Sequence, residues 1–125
     1  MFNKINPLFR QVTEHLNNMQ IFKGRRYGDA WKKRGEHLSI FPKVAQKFDR
    51  LEKIMMDDAE GLTPLPPPES EESVAETVGD LATYCILWLT HIAETRPAEF
   101  RAWQERCEKM QKVNDEFSKN EAEPV

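Results

Sequence analysis

The sequence predicts an all-α protein of about four main helices, packed as an antiparallel bundle. Apolar residues recur three and four positions apart through four segments, and no stretch of useful length alternates apolar with polar residues as a strand would. Gly24, the prolines at 64, 66, 67 and 68, and Pro97 punctuate those segments where helices would break. At 125 residues the chain fits a single domain spanning 1–125, with one modest core.

The first helix opens at Asn6-Pro7, a capping residue followed by a proline suited to the first helical position. It carries Leu8, Phe9, Val12, Leu16 and Met19 as its stripe, and Gly24 is expected to end it. Residues 25–35 then read as a basic loop with a short helix, bearing Tyr27 and Trp31. A second helix is expected from Phe41 or Pro42 to Met56 on the stripe Val44, Phe48, Leu51 and Met55, edged by Lys47 and Arg50. Residues 57–69 form a stiff proline-rich connector.

The third helix is expected from about Ser70 to Thr95. Val74, Val78, Leu81, Cys85, Trp88 and Ile92 lie along one side, with Ile86, Leu87 and Leu89 widening the apolar surface, a pattern that demands burial on more than one face. A fourth helix restarts at Pro97 and carries a heptad-like seam of Phe100, Trp103, Cys107, Met110, Asn114 and Phe117, before a frayed tail at 120–125. Two apolar helix faces exceed what a four-helix monomer of this size should leave uncovered, so a homodimer or higher homo-oligomer is expected.

Eighteen basic and twenty-one acidic residues leave a net charge of −3, which does not favour duplex nucleic acid as the main partner. The distribution is uneven. Lys23 to Arg34 holds six cations against Asp29, while every charged residue from Asp57 to Asp80 is acidic. Such poles suit a metal–phosphate ligand, because metals need carboxylates and phosphates need cations. Cys85 and Cys107 have no ligand-like spacing and read as buried thiols. No signal peptide opens the sequence, and the apolar run from Leu81 to Ala93 is short of a membrane span, so a soluble, cytoplasmic protein is expected.

Glu72, Glu76 and Asp80 stand four residues apart. On one helix they would share a face, a stripe that repels itself unless a cation such as Mg²⁺ sits on it. The competing reading is a Ser70 cap with acids complementing the helix dipole, and Lys47 or Arg50 pairing with Asp80 or Glu76 across helices. Spacing leaves both open. Tyr27 and Trp31, within the basic segment, are candidates to stack a base while nearby cations hold phosphate, or else to anchor a solvated loop. His15, His37 and His91 lack paired ligand spacing, and no Walker loop, dinucleotide fingerprint or nucleophile elbow occurs.

The series Lys23-x-x-x-Tyr27-Gly28-Asp29-Ala30-Trp31, Lys47-x-x-Arg50-Leu51 and Glu72-Ser73-x-x-Glu76-Thr77-x-x-Asp80-Leu81-x-x-Tyr84 resembles the nucleotide-modification-associated domain of the first type. That small all-α family occurs largely in bacteriophages and bacteria, and is itself similar to the MazG-like all-α nucleoside triphosphate pyrophosphatases. The resemblance implies Mg²⁺ held by Glu72, Glu76 and Asp80, with Glu76 and Asp80 as catalytic carboxylates. It also implies nucleotide or phosphate contacts from Lys23, Arg26, Tyr27, Trp31, Lys47 and Arg50. The second helix departs from the pyrophosphatase pattern, offering Lys47, Asp49, Arg50 and Glu52 where carboxylates are usual, so half of the acidic cage is altered. Nucleotide or deoxynucleotide binding is the leading expectation, with hydrolysis behind it. A non-catalytic helical module docking on a partner protein is the alternative.

Overall fold

A computed structural model of the chain describes residues 6–122, for Tyr27, Glu121 and Ala122 the backbone alone. It is all-helical, with no strand among the described residues. The four helices are α1 (Pro7–Tyr27), α2 (Phe41–Ala59), α3 (Val74–Thr95) and α4 (Pro97–Ala122). No helix among the described residues is long and apolar enough to cross a membrane. The chain divides into two compact units, one of residues 1–15 and 89–125 and the other of Leu16–Trp88.

The Asn6-Pro7 start forms as expected: the Asn6 carboxamide oxygen accepts the Leu8 N–H at 2.9 Å, satisfying one of the orphan donors of the first turn. The far end of α1 differs. Gly24 stays helical and accepts the Gly28 N–H at 3.0 Å, and the turn that ends the helix falls on Gly28, at φ 63°. A lone glycine costs a helix about 1 kcal/mol, too little to stop one that continues into residues able to stay helical. Arg25 and Arg26 then sit on the last turn, where the helix dipole favours cations. The short helix expected in the basic segment is a 3₁₀ turn over Ala30–Lys32, followed by a π-helical turn over Glu36–Ile40 that leads into α2.

α2 runs three residues beyond the expected Met56 and closes in a Schellman arrangement. Gly61 at φ 71° donates to the Asp58 carbonyl at 3.1 Å, and Leu62 donates to the Asp57 carbonyl at 2.9 Å. α3 begins four residues later than expected. Its cap is Ser73, not Ser70: the Ser73 hydroxyl accepts the Glu76 N–H at 3.1 Å and its carbonyl accepts the Thr77 N–H at 3.0 Å. Ser70 instead accepts the Glu72 N–H at 2.9 Å in the preceding turn. Residues 123–125 of the expected frayed tail lie outside the described residues, and α4 continues past Lys119 to Ala122.

Within the unit Leu16–Trp88 the buried centre is small: Ile40 is fully buried, joined by Leu87, Thr77, Thr83 and Ser73. The Trp88 indole N–H donates to the Glu36 carboxylate at 2.6 Å, and the Trp88 ring meets Phe41 edge-on at 6.0 Å. Trp88 thereby ties α3 to the start of α2. α1 meets α3 at Met19, whose sulfur accepts the Thr83 hydroxyl at 3.5 Å. Among the described residues α3 is not buried on several faces: Val78, Ile86 and Leu89 are exposed, as is Cys85, expected from the sequence to be buried.

The two glycines of these helix ends and crossings separate in a stability measurement. A Cβ at Gly61 requires a left-handed residue, so Gly61→Ala is expected to lower stability by about 1 kcal/mol. A Cβ at Gly79 meets only the flexible Met19 methyl at an ordinary 3.5 Å, so Gly79→Ala is expected to raise stability by about 0.5–1 kcal/mol. Urea denaturation of the two variants checks both signs.

Candidate functional site

Asp80 is the centre of the charged cluster. Its side chain is only 17% exposed, one oxygen lies 2.6 Å from Lys23 Nζ of α1, and the other lies 3.3 Å from Lys47 Nζ of α2. Lys47, four residues after Lys43 on α2, and Lys23, on the last turns of α1, therefore converge on α3. Burial alone would push the Asp80 carboxyl up. The hydrogen bond and charge of Lys23, with Lys47 adding, outweigh it and hold the carboxyl below its ordinary value of 3.8. Burial likewise pulls the Lys23 ammonium down, and Asp80, with smaller help from Tyr84 and Glu76, more than offsets it, leaving the ammonium above its ordinary 10.5.

The expected one-faced stripe of three carboxylates does not form. Because Ser73 caps α3, Glu72 precedes the helix and leaves its periodicity; it pairs with Arg50 at 3.5 Å, and Arg50 also donates to the Glu72 carbonyl at 3.3 Å. Glu76 takes the third position of α3, exposed, where the sequence Ser73-Val74-Ala75-Glu76 has the spacing of a capping box. Mg²⁺ needs carboxylate oxygens free to face it. Asp80 gives both of its oxygens to ammonium groups, Glu72 is paired, and among the described residues no three of His, Cys, Asp and Glu converge. Asp80, held ionised by two lysines, is also a weak proton acceptor and a good hydrogen-bond acceptor, which suits recognition more than general-base work.

Beside this cluster lies a pocket of about 450 Å³. Trp31 and Tyr84 provide aromatic walls, Leu87 and Thr83 form part of the inner surface, and Lys23, Lys43 and Asp80 supply the charged groups. Gln20 also lines it, with a buried carboxamide oxygen that has no hydrogen-bond partner among the described residues. Of the expected site residues, Lys23, Trp31 and Asp80 line this pocket, and Lys47 reaches it through Asp80. Arg50 is engaged with Glu72, and Arg26 lines a different hollow with Ile21, Phe22 and Arg25. The Tyr27 side chain lies outside the described residues.

The pocket also takes polar side chains that the sequence reading does not assign to the site, Gln20, Lys43, Thr83 and Tyr84. Their spacing carries a signal. Asp80, Thr83, Tyr84 and Leu87 fall at i, i+3, i+4 and i+7 on α3, and Gln20, Lys23 and Gly24 repeat the pattern on α1.

The fold and site define a small all-α protein with an aromatic-walled, lysine-bearing pocket. The chain is similar to the Gene 30 protein of Bacillus phage SP01, with 32% identity over 109 residues, the match covering 76% of this chain and 48% of that protein. The chain thus spans about half the length of the curated relative it matches. No family model matches the chain, and no solved structure matches it.

The charge arrangement fixes the sign of a pH dependence. Asp80 has a lowered folded-state pKa, so its stabilisation is complete above about 3.8 and is lost as pH falls through the folded value; Lys23 has a raised one, so its share is complete below about 10.5 and is lost as pH rises through the folded value. Asp80→Asn leaves two partly exposed ammonium groups without their partner and is expected to cost about 1–2 kcal/mol at pH 7. That difference from wild type should shrink at both pH extremes. A difference that stays constant down to pH 2 in urea titrations would remove Asp80 from the account of stability.

Proposed function

We propose that the unit Leu16–Trp88 binds a nucleotide, its base held in the pocket between Trp31 and Tyr84. The observation that carries this reading is the combination of two aromatic walls with Lys23, Lys43 and the acceptor Asp80 in one pocket. Aromatic side chains offer a stacking face to any base, and lysines and a fixed carboxylate supply the polar contacts that orient it. The resemblance to the nucleotide-modification-associated domain points the same way, and the similarity to a phage protein makes an infected bacterial cell the expected setting.

Binding is the primary activity in this reading. Hydrolysis of a phosphoanhydride is second to it in this reading, which the altered acidic cage and the lysine-bound Asp80 support, with Mg²⁺ as a counter-ion of the ligand phosphates. Calorimetry with the four deoxynucleoside triphosphates, with and without Mg²⁺ and with phosphate and pyrophosphate release followed in parallel, tests both. Trp31→Ala is expected to lose about 1–3 kcal/mol of binding, roughly 5- to 150-fold in Kd, while Trp31→Phe keeps most of it. Absence of saturable binding by any of the four would sink the proposal.

A second reading concerns assembly and rests on α4. Trp103, Met110 and Phe117, spaced by seven residues, are 46%, 62% and 55% exposed. We propose that this seam associates with a second copy as a helix pair, the a and d positions of one covering those of the other. Sedimentation is expected to show a dimer or higher oligomer at micromolar concentration, and Met110→Glu to shift it to monomer with helix content retained. A monomeric wild type over that range would remove the seam as a self-association surface and leave docking on a different protein as the use of that face.

A further inference from the structure

A second hollow, of about 240 Å³, adjoins the first and shares Trp31, Ala30 and Lys43 with it. Its other charged lining residues are Lys33 and Arg34, and Ser39 adds a hydroxyl. The Arg34 backbone N–H donates to the Ser39 oxygen at 2.8 Å, an acceptor role that leaves the Ser39 O–H able to donate.

The cations around the two hollows differ in kind. Lys23 and Lys47 are both engaged by Asp80, and Arg50 by Glu72. Lys33, Arg34 and Lys43 are exposed, and among the described residues their side chains make no ion pair. The acids nearest in sequence are engaged elsewhere: Asp29 lies 4.0 Å from Lys32, and Glu36 accepts the Trp88 indole. A lysine already hydrogen-bonded to a carboxylate gains less from a second anion than an unpaired one, and three unpaired cations beside a hydroxyl donor can each gain a charge-assisted hydrogen bond.

We infer that the hollow lined by Lys33, Arg34, Ser39 and Lys43 is a phosphate subsite, taking the phosphates of a nucleotide whose base lies across Trp31 in the Asp80 pocket. The inference rests on the nucleotide reading for the identity of the base-bearing part, and on the free cations alone for the anion. It also gives the ligand a direction. Phosphates lie on the side of the basic segment, so Asp80 faces base or sugar donors and stands away from the phosphoryl groups.

Calorimetry on the full chain with two sets of probes tests it: inorganic pyrophosphate, and each of the four deoxynucleosides beside its triphosphate. In the wild type each triphosphate is expected to bind at least tenfold more tightly than its nucleoside. Lys33→Ala combined with Arg34→Ala should erase that ratio, abolish pyrophosphate binding and leave nucleoside affinity unchanged. The pair Lys33→Arg with Arg34→Lys should restore both. Circular dichroism confirms that these exposed substitutions leave the helices intact. If pyrophosphate binds and is lost in the double variant while no nucleoside binds at all, the subsite stands and the nucleotide reading falls. If pyrophosphate does not bind, or the double variant keeps the triphosphate-over-nucleoside ratio, the subsite assignment is overturned.

Discussion

One carboxylate joins three helices. Asp80, with its two oxygens on Lys23 of α1 and Lys47 of α2, fixes where α3 sits against both within the unit Leu16–Trp88. A partly buried carboxylate would be costly alone, and each ammonium is available only if its helix is in register. The register is visible along the rest of the α2–α3 pair, where Phe41 meets Trp88 at one end and Arg50 meets Glu72 at the other. These pairings run in opposite chain directions, so α2 and α3 are antiparallel. The apolar centre around Ile40 and Leu87 is small, so the directional pairs carry more of the alignment than a larger core would require.

Much of this was legible in the sequence, and the misses have definite causes. Asn6-Pro7 and Pro97 mark helix starts by chemistry that depends on few neighbours, and both act as read. The pairing of Lys47 with Asp80 was foreseen as one of two outcomes, because both edge apolar stripes of neighbouring helices. Ser70 and Ser73 both have a capping hydroxyl, but only Ser73 has a glutamate three residues on, the capping-box spacing, and the helix starts there. That shift of one turn removes Glu72 from the helix and with it the three-carboxylate face. Gly24 and Gly28 pose the same problem at the end of α1, where only one glycine can supply the left-handed turn.

The pocket residues were partly hidden for a different reason. Lys43, Tyr84 and Gln20 lie at helical spacings from Lys47, Asp80 and Lys23, but a position on the same face as a site residue becomes a lining residue only when a neighbouring segment closes over it. Here that segment is the short turn bearing Trp31, whose position depends on the Gly28 turn and the irregular π-helical lead into α2. The apolar excess of α3 and α4 is legible in place as well as in amount: Ile86, Leu89 and the seam residues Trp103, Met110 and Phe117 are exposed, and of the residues that widen the α3 surface only Leu87 is buried.

The same acidic residue that organises the helices also sorts the cations into two groups. Had Asp80 been an apolar residue, Lys23 and Lys47 would add their charge to that of Lys43, and an anion would be drawn into the aromatic pocket itself. By cancelling one of those two charges and engaging both ammonium groups, Asp80 lowers the positive charge beside the pocket between Trp31 and Tyr84, while Lys33 and Arg34 line the adjoining hollow and Lys43 borders both. For a nucleotide bound as proposed, the Asp80 carboxylate beside the aromatic pocket favours the orientation that keeps the phosphates on the side of Lys33 and Arg34. On that proposal the residue that aligns α1, α2 and α3 also bears on the polarity of the site, and a change at Asp80 is expected to be felt in ligand orientation as well as in stability.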